Sequence, residues 1–94
     1  LGLGLKAVVH VTMERGHMRE VVKFREGIAA MSQVLECHAV TGDFDYVLKV
    51  VARDLKTLSD FLLKTLAQLP GVNAVRSSVC LDEVKHTAAL PLEE

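Results

Sequence analysis

Twice within ninety-four residues the hydrophobic pattern switches from a period of two to a helical period and back. That double switch restricts the fold more than any other feature of the chain. Leu5, Ala7, Val9, Val11 and Met13 alternate with Lys6, Val8, His10 and Thr12, predicting a strand over about Gly4–Met13. From Met18 onward, Val21, Phe24, Ile28 and Met31 recur at the spacing of one helix face, with Arg19, Glu20, Lys23 and Glu26 on the other. Ser32-Gln33 ends that helix, and a Val-led strand follows over about Val34–Thr41. The second half repeats the plan. A strand over about Phe44–Arg53 runs into Asp54, a good N-cap. Leu55, Leu58, Phe61, Leu62, Thr65, Leu66 and Leu69 then form a helical face that Pro70-Gly71 stops. A Val-led strand over about Val72–Leu81 closes the pattern, with Val75, Ser77, Val79 and Leu81 on one face. The tail from Asp82 has the alternation for a short strand through Val84, His86 and Ala88.

The order is β-α-β-β-α-β. Two split β-α-β units joined by a central hairpin make an α+β, ferredoxin-like sandwich: a four-stranded antiparallel sheet with both helices on one face. The hairpin register can be worked out on paper. A two-residue loop at Gly42-Asp43 sets Leu35 opposite Val50, Cys37 opposite Leu48, Ala39 opposite Tyr46 and Glu36 opposite Lys49. A four-residue loop, Gly42 to Asp45, shifts the pairing by two and leaves the faces unchanged. Gly42 supplies the positive φ that a tight loop requires. The other face of the sheet is mixed rather than polar: Val8, Val40, Val47 and Val51 sit among His10, His38, Lys49 and Arg53. A wet face would carry fewer valines, so a second subunit is expected to cover it, as in a dimeric α+β barrel.

Composition narrows the function. Half the residues are hydrophobic, yet the aromatics are three Phe and one Tyr, so the core is built of Val, Leu and Ala. A net charge of −1 with interspersed signs argues against this domain alone gripping a nucleic-acid backbone. No run approaches a membrane span. Cys37 and Cys80 form no close pair, which points to reduced thiols and a cytoplasmic setting. Cys37 and His38 are adjacent on a strand and point to opposite faces, so no metal or other cofactor is expected. No nucleophile stands beside a base, so no catalytic residues are assigned. The chain opens on Leu rather than Met, which suggests a piece of a longer protein or a start that lies before Leu1.

The run Val34-Leu35-Glu36-Cys37-His38-Ala39-Val40-Thr41-Gly42-Asp43-Phe44-Asp45-Tyr46-Val47-Leu48-Lys49-Val50 resembles the signature of the Lrp/AsnC, or feast/famine, family of transcription regulators. Arg53-Asp54-Leu55, Leu69-Pro70-Gly71-Val72 and Val75-Arg76-Ser77-Ser78 continue the likeness. Leu1-Gly2-Leu3-Gly4-Leu5 and Ala89-Leu90-Pro91-Leu92 resemble the family's entry and ending. The likeness covers the whole chain but only the family's C-terminal, effector-binding RAM domain. It implies one domain over 1–94, with the DNA-binding helix-turn-helix absent from this chain. It further implies a homodimer assembling to octamers, and an effector, commonly an amino acid, held near the hairpin loop. Carried over residue by residue, the ligand positions are Thr41, Gly42, Asp43, Asp45 and Tyr46. Ser77 and Ser78 are added from a neighbouring subunit.

The chemistry suits a zwitterion. Asp43 and Asp45 would meet the ammonium, and backbone N–H groups around Gly42 the carboxylate. Charge-assisted bonds of this kind contribute about 1.5–3 kcal/mol each. The plainer reading is that Gly42-Asp43 is turn chemistry alone. Two other functions fit the same pattern: a stand-alone sensor that tunes full-length regulators, and a small dimeric α+β barrel enzyme. The enzyme would need a roomy cavity in each subunit.

Overall fold

The computed structural model describes residues 4–14, 18–42 and 45–86. Four strands and two helical segments follow in the expected order. They are β1 (Leu5–Met13), α1 (Met18–Ala29), β2 (Val34–Ala39), β3 (Tyr46–Ala52), α2 (Leu55–Asp60, continued to Gln68) and β4 (Val72–Val79). The strands form one antiparallel sheet in the order β2-β3-β1-β4. This is the ferredoxin-like arrangement, with the two central strands contributed by different halves of the chain.

Strand alternation decides what is buried. Ala7, Val9 and Val11 of β1 and Tyr46, Leu48 and Val50 of β3 point to the helix side and are buried. Phe24 and Ile28 of α1, and Leu58, Phe61 and Leu66 of the second helix, close over them. Phe24 and Tyr46 meet as tilted rings with centroids 4.9 Å apart, a favoured aromatic geometry. Asp54 caps the second helix as expected, its carboxylate accepting from the Thr57 N–H at 2.8 Å. Gly27 has a packing reason. A Cβ there would lie 2.8 Å from Leu69 Cδ2, so the notch in α1 receives the last leucine of the second helical run. That contact offsets the helix propensity glycine forfeits.

Five expectations need correction. The hairpin register holds at Glu36↔Lys49, Cys37↔Leu48 and Ala39↔Tyr46, but Val34, not Leu35, pairs with Val50. Leu35 is the extra residue of a bulge and stands 55% exposed. A period-two pattern cannot reveal such an insertion. Second, the second helix is not uniformly α. Phe61–Thr65 winds as a π-helix and Leu66–Gln68 as a 3-10 turn, and of the expected apolar face Leu55 and Thr65 are exposed, as is the neighbouring Leu63. Third, β4 ends at Val79, so Leu81 does not join the Val75–Val79 face but stands 95% exposed. Fourth, no short strand forms at Val84 and His86 among the described residues; Ala88 lies outside them. β2 and β3 are also shorter than expected, since Val40 and Thr41 leave the ladder and Phe44 lies outside the described residues.

Candidate functional site

The hairpin tip is shaped by backbone first. Val40 N–H donates to Asp45 O at 3.0 Å, and Asp45 N–H donates to Val11 O at 3.0 Å. Asp45 therefore ties the hairpin to β1 at the point where regular pairing stops. Its side chain extends the tie: Oδ2 accepts from the Met13 N–H at 2.6 Å. The carboxylate supplies the acceptor that a further ladder residue would have offered. Gly42 adopts φ of 108°, and nothing lies within 4 Å of where a Cβ would stand, so the backbone there is open to a visitor. Thr41, Gly42 and Asp45 are exposed together at the rim. Asp43 lies outside the described residues.

Tyr46 points elsewhere. Its ring is buried on the helix side, and its hydroxyl accepts from Arg25 Nε at 3.0 Å. The Arg25 guanidinium also lies 5.6 Å from the Tyr46 ring centroid, a cation–π distance. The hydrogen bond to Tyr46 is the leading reason that the Arg25 pKa is raised. Tyr46 thus braces β3 against α1 beneath the loop. Cys37 sits half-buried on the same side, and burial pushes its thiol pKa up, with Arg25 pulling less strongly the other way. A thiol so placed is a core group rather than a nucleophile.

Ser77 and Ser78 lie on opposite faces of β4, paired with Val9 and Val8. Neither belongs to the hairpin, which is two strands away across β1. Within one chain the serines and the loop are separate features. Ser77 instead helps line a groove of about 400 Å³ between the π-helical stretch and β4, with Ser59, Leu62, Leu63, Asn73 and Val75 also on its wall. Sequence reasoning missed this groove. The signal was present in the adjacent leucines Leu62 and Leu63, which cannot share one face of a regular helix.

The open face of the sheet reads in rows across the strands. His38, Val47, His10 and Arg76 form one row; Glu36, Lys49, Val8 and Ser78 form the next. Val8, Val47 and Val51 are half-buried there, and both described helices pack on the opposite face. Glu36 bonds His38 Nε2 at 3.1 Å and lies 3.7 Å from Lys49 Nζ. The His38 contact first, and the Lys49 ammonium second, hold the Glu36 carboxyl below its ordinary range. Among the described residues, no group of three His, Cys, Asp or Glu side chains could hold a metal ion. Nor is any described helix long and apolar enough to cross a membrane.

A family model described as the Lrp/AsnC ligand binding domain matches residues 6–90. The leucine-responsive regulatory protein of Haemophilus influenzae is 40% identical over 95% of this chain and 54% of its own length. The transcriptional regulator AzlB of Bacillus subtilis is 31% identical over the whole of this chain and 60% of its own. The chain therefore spans a little over half the length of such relatives. Among solved structures, a Neisseria meningitidis transcriptional regulator in complex with L-Met superposes with a TM-score of 0.89. It is 38% identical and matches over 96% of this chain and 58% of its own. A Thermus thermophilus protein superposes with a TM-score of 0.74 at 26% identity, over 87% of this chain and 99% of its own.

Proposed function

This chain belongs to the Lrp/AsnC ligand-binding domain family, and from that premise we propose that it senses a free amino acid at the hairpin rim and assembles the subunits of a transcription regulator. The observation that carries the reading is the likeness to the Neisseria meningitidis regulator, which was solved with L-Met bound. The rim supports it chemically. Asp45 presents a carboxylate with one oxygen held by Met13, and the cleared backbone around Gly42 suits a carboxylate ligand. Thr41 and Asp43 belong to the same loop. Tyr46 acts from below, by fixing β3 against α1 through Arg25. Ser77 and Ser78 reach a rim ligand only from another subunit, which fits a site completed by assembly. The half-apolar sheet face is where two subunits stack into a homodimer, and octamers are the higher state. DNA binding resides in a separate N-terminal helix-turn-helix, and the setting is the cytoplasm.

Calorimetric titration tests this reading with L-Met and L-Leu as probes. The wild-type chain should give saturable heats in the micromolar to millimolar range. Asp45→Asn retains an oxygen for the Met13 N–H while removing the charge, so its titration should be flat although its fold is intact. Unchanged heats in Asp45→Asn would remove the rim from the site. A second reading has its own support: the Thermus thermophilus chain is matched over 99% of its length, so chains made of this domain alone exist. A stand-alone sensor would bind the same effector and join full-length regulators through the sheet face.

A further inference from the structure

Leu58, Phe61 and Leu66 are the core residues of the second helical run, at 2%, 6% and 0% exposure. Their spacing is three residues and then five. An α-helix that turns Leu58 and Phe61 inward brings residue 65 inward next, since it lies seven and four positions on. Residue 65 is Thr, and it is exposed. The extra residue is absorbed where Phe61–Thr65 winds as a π-helix. At its end the Leu66 N–H is shared between Phe61 O and Leu62 O, the acceptors of a π and an α turn. A 3-10 turn over Leu66–Gln68 follows, and Gln68 Nε2 donates to Leu63 O at 3.2 Å. The winding thus has a cause in the sequence. It buries a leucine in place of a threonine, which gains apolar burial and keeps a hydroxyl in water.

The same turn shapes the groove beside β4. Leu62 and Leu63 are neighbours in sequence, yet both lie on its wall with Ser59 and Ala67, facing Val75 and Ser77. Leu62 and Leu63 belong to the π turn, and Ala67 to the 3-10 turn after it. The helix side of the groove is therefore set largely by irregular winding. π-helical turns are rare and recur at functional sites. Across the groove Ser77 is exposed, and in the reading above it is offered to a rim ligand of another subunit.

We propose that the π turn is a positioning element of the effector site, set by Thr65 and Leu66. By turning Leu66 in and Thr65 out, it holds Leu62, Leu63 and Ala67 back from Ser77 and leaves about 400 Å³ through which an effector reaches that hydroxyl. This role rests on the effector reading above and adds to it the element that keeps the second half of the site accessible.

Nuclear magnetic resonance and calorimetry on the full chain test the role. In the wild type, a through-hydrogen-bond coupling is expected from the Leu66 amide to the Phe61 carbonyl. Saturating L-Leu or L-Met should shift the amide signals of Leu62, Leu63 and Ser77 together with those of Thr41 and Gly42 at the rim. The exchange variant T65L/L66T keeps the composition and offers its leucine at the α-helical phase. It should lose the coupling to Phe61 and bind L-Leu or L-Met at least about fivefold more weakly. Ser77→Ala should weaken binding by a similar factor in the wild type and add little in T65L/L66T, because both changes act on one wall. I28V, which trims the core away from the groove, should bind as the wild type does. Rim signals that shift while Leu62, Leu63 and Ser77 stay still overturn the positioning role alone. So does a wild type without the Leu66–Phe61 coupling, or a folded T65L/L66T chain with wild-type affinity. The wild-type spectra need no variant, so they decide the matter if T65L/L66T fails to fold. A wild-type chain that gives neither shifts nor heats overturns the effector reading and this role together.

Discussion

The two faces of this sheet are made from the same strands and differ in what they demand of the rest of the molecule. On the helix side every central residue of β1 and β3 is buried, and the layer that covers it comes from the same chain. On the open side valines alternate with Lys, His and Arg, and neither described helix covers them. The first face is therefore sufficient for folding. The second contributes little to that core, and under the proposed function it is the surface on which another subunit stacks. Adjacent residues of one strand thus answer to different constraints: Val9 to packing density, Val8 to the chemistry of a partner.

That division can be broken by mutation. The largest effect is expected at Phe24, which fills the centre of the helix-side core and stacks on Tyr46. Phe24→Ala should lower unfolding free energy by about 3–5 kcal/mol, read by urea denaturation. A sharper comparison uses identical chemistry on neighbouring residues. Val9→Ala removes two buried methyl groups and should cost about 2 kcal/mol. Val8→Ala should cost the monomer under about 1 kcal/mol while measurably weakening self-association. Equal losses of stability at both positions would erase the distinction between the faces.

The smallest effect is electrostatic. Backbone and hydroxyl bonds from Thr57 hold the Asp54 carboxyl below its usual range. The hydrogen bond from Lys56, supported by the Lys64 charge, does the same for Asp60. A carboxyl whose pKa is lower folded than unfolded adds stability that is complete above the ordinary carboxylate range. That stability is lost as pH falls through the depressed value. Thermal stability should thus hold from neutrality down to about pH 4 and decline below it. Asp54→Asn keeps an acceptor for the Thr57 N–H but not the titration, so its melting curve should converge on wild type as the pH drops. A gap that stays constant down to about pH 2 would remove the cap from the acid response.

Much of this was legible in the sequence because it depends on periodicity. The face of α1, the Asp54 cap and the pairing of Glu36 with Lys49 follow from spacing and charge alone. What escaped depends on lengths and insertions. The bulge at Leu35 leaves the alternation on either side undisturbed. The π-helical turn at Phe61–Thr65 inserts its extra residue into a leucine-rich run where any phase looks apolar. Leu81 fits the pattern of β4 but not the sheet: the register would set it opposite Leu5, the first residue of β1, yet the ladder ends at Val79 opposite Ala7, and where a ladder stops is not written in the strand itself. The rim was half legible: its residue types were visible, but not that Asp45 spends one oxygen on Met13, or that Tyr46 turns inward to Arg25.

The socket formed by Gly27 and Leu69 has a bearing on how such a chain can change. A Cβ at residue 27 would stand within 2.8 Å of the Leu69 Cδ2 methyl, so the helices of the two halves of the pseudo-repeat share this fitting. A chimera that takes its first half from one relative and its second from another inherits a mismatch unless both residues travel together. Because the approach is to the far end of a flexible side chain, drift at residue 27 asks Leu69 to turn aside, and the fitting marks where half-for-half recombination of this domain would call for local repacking.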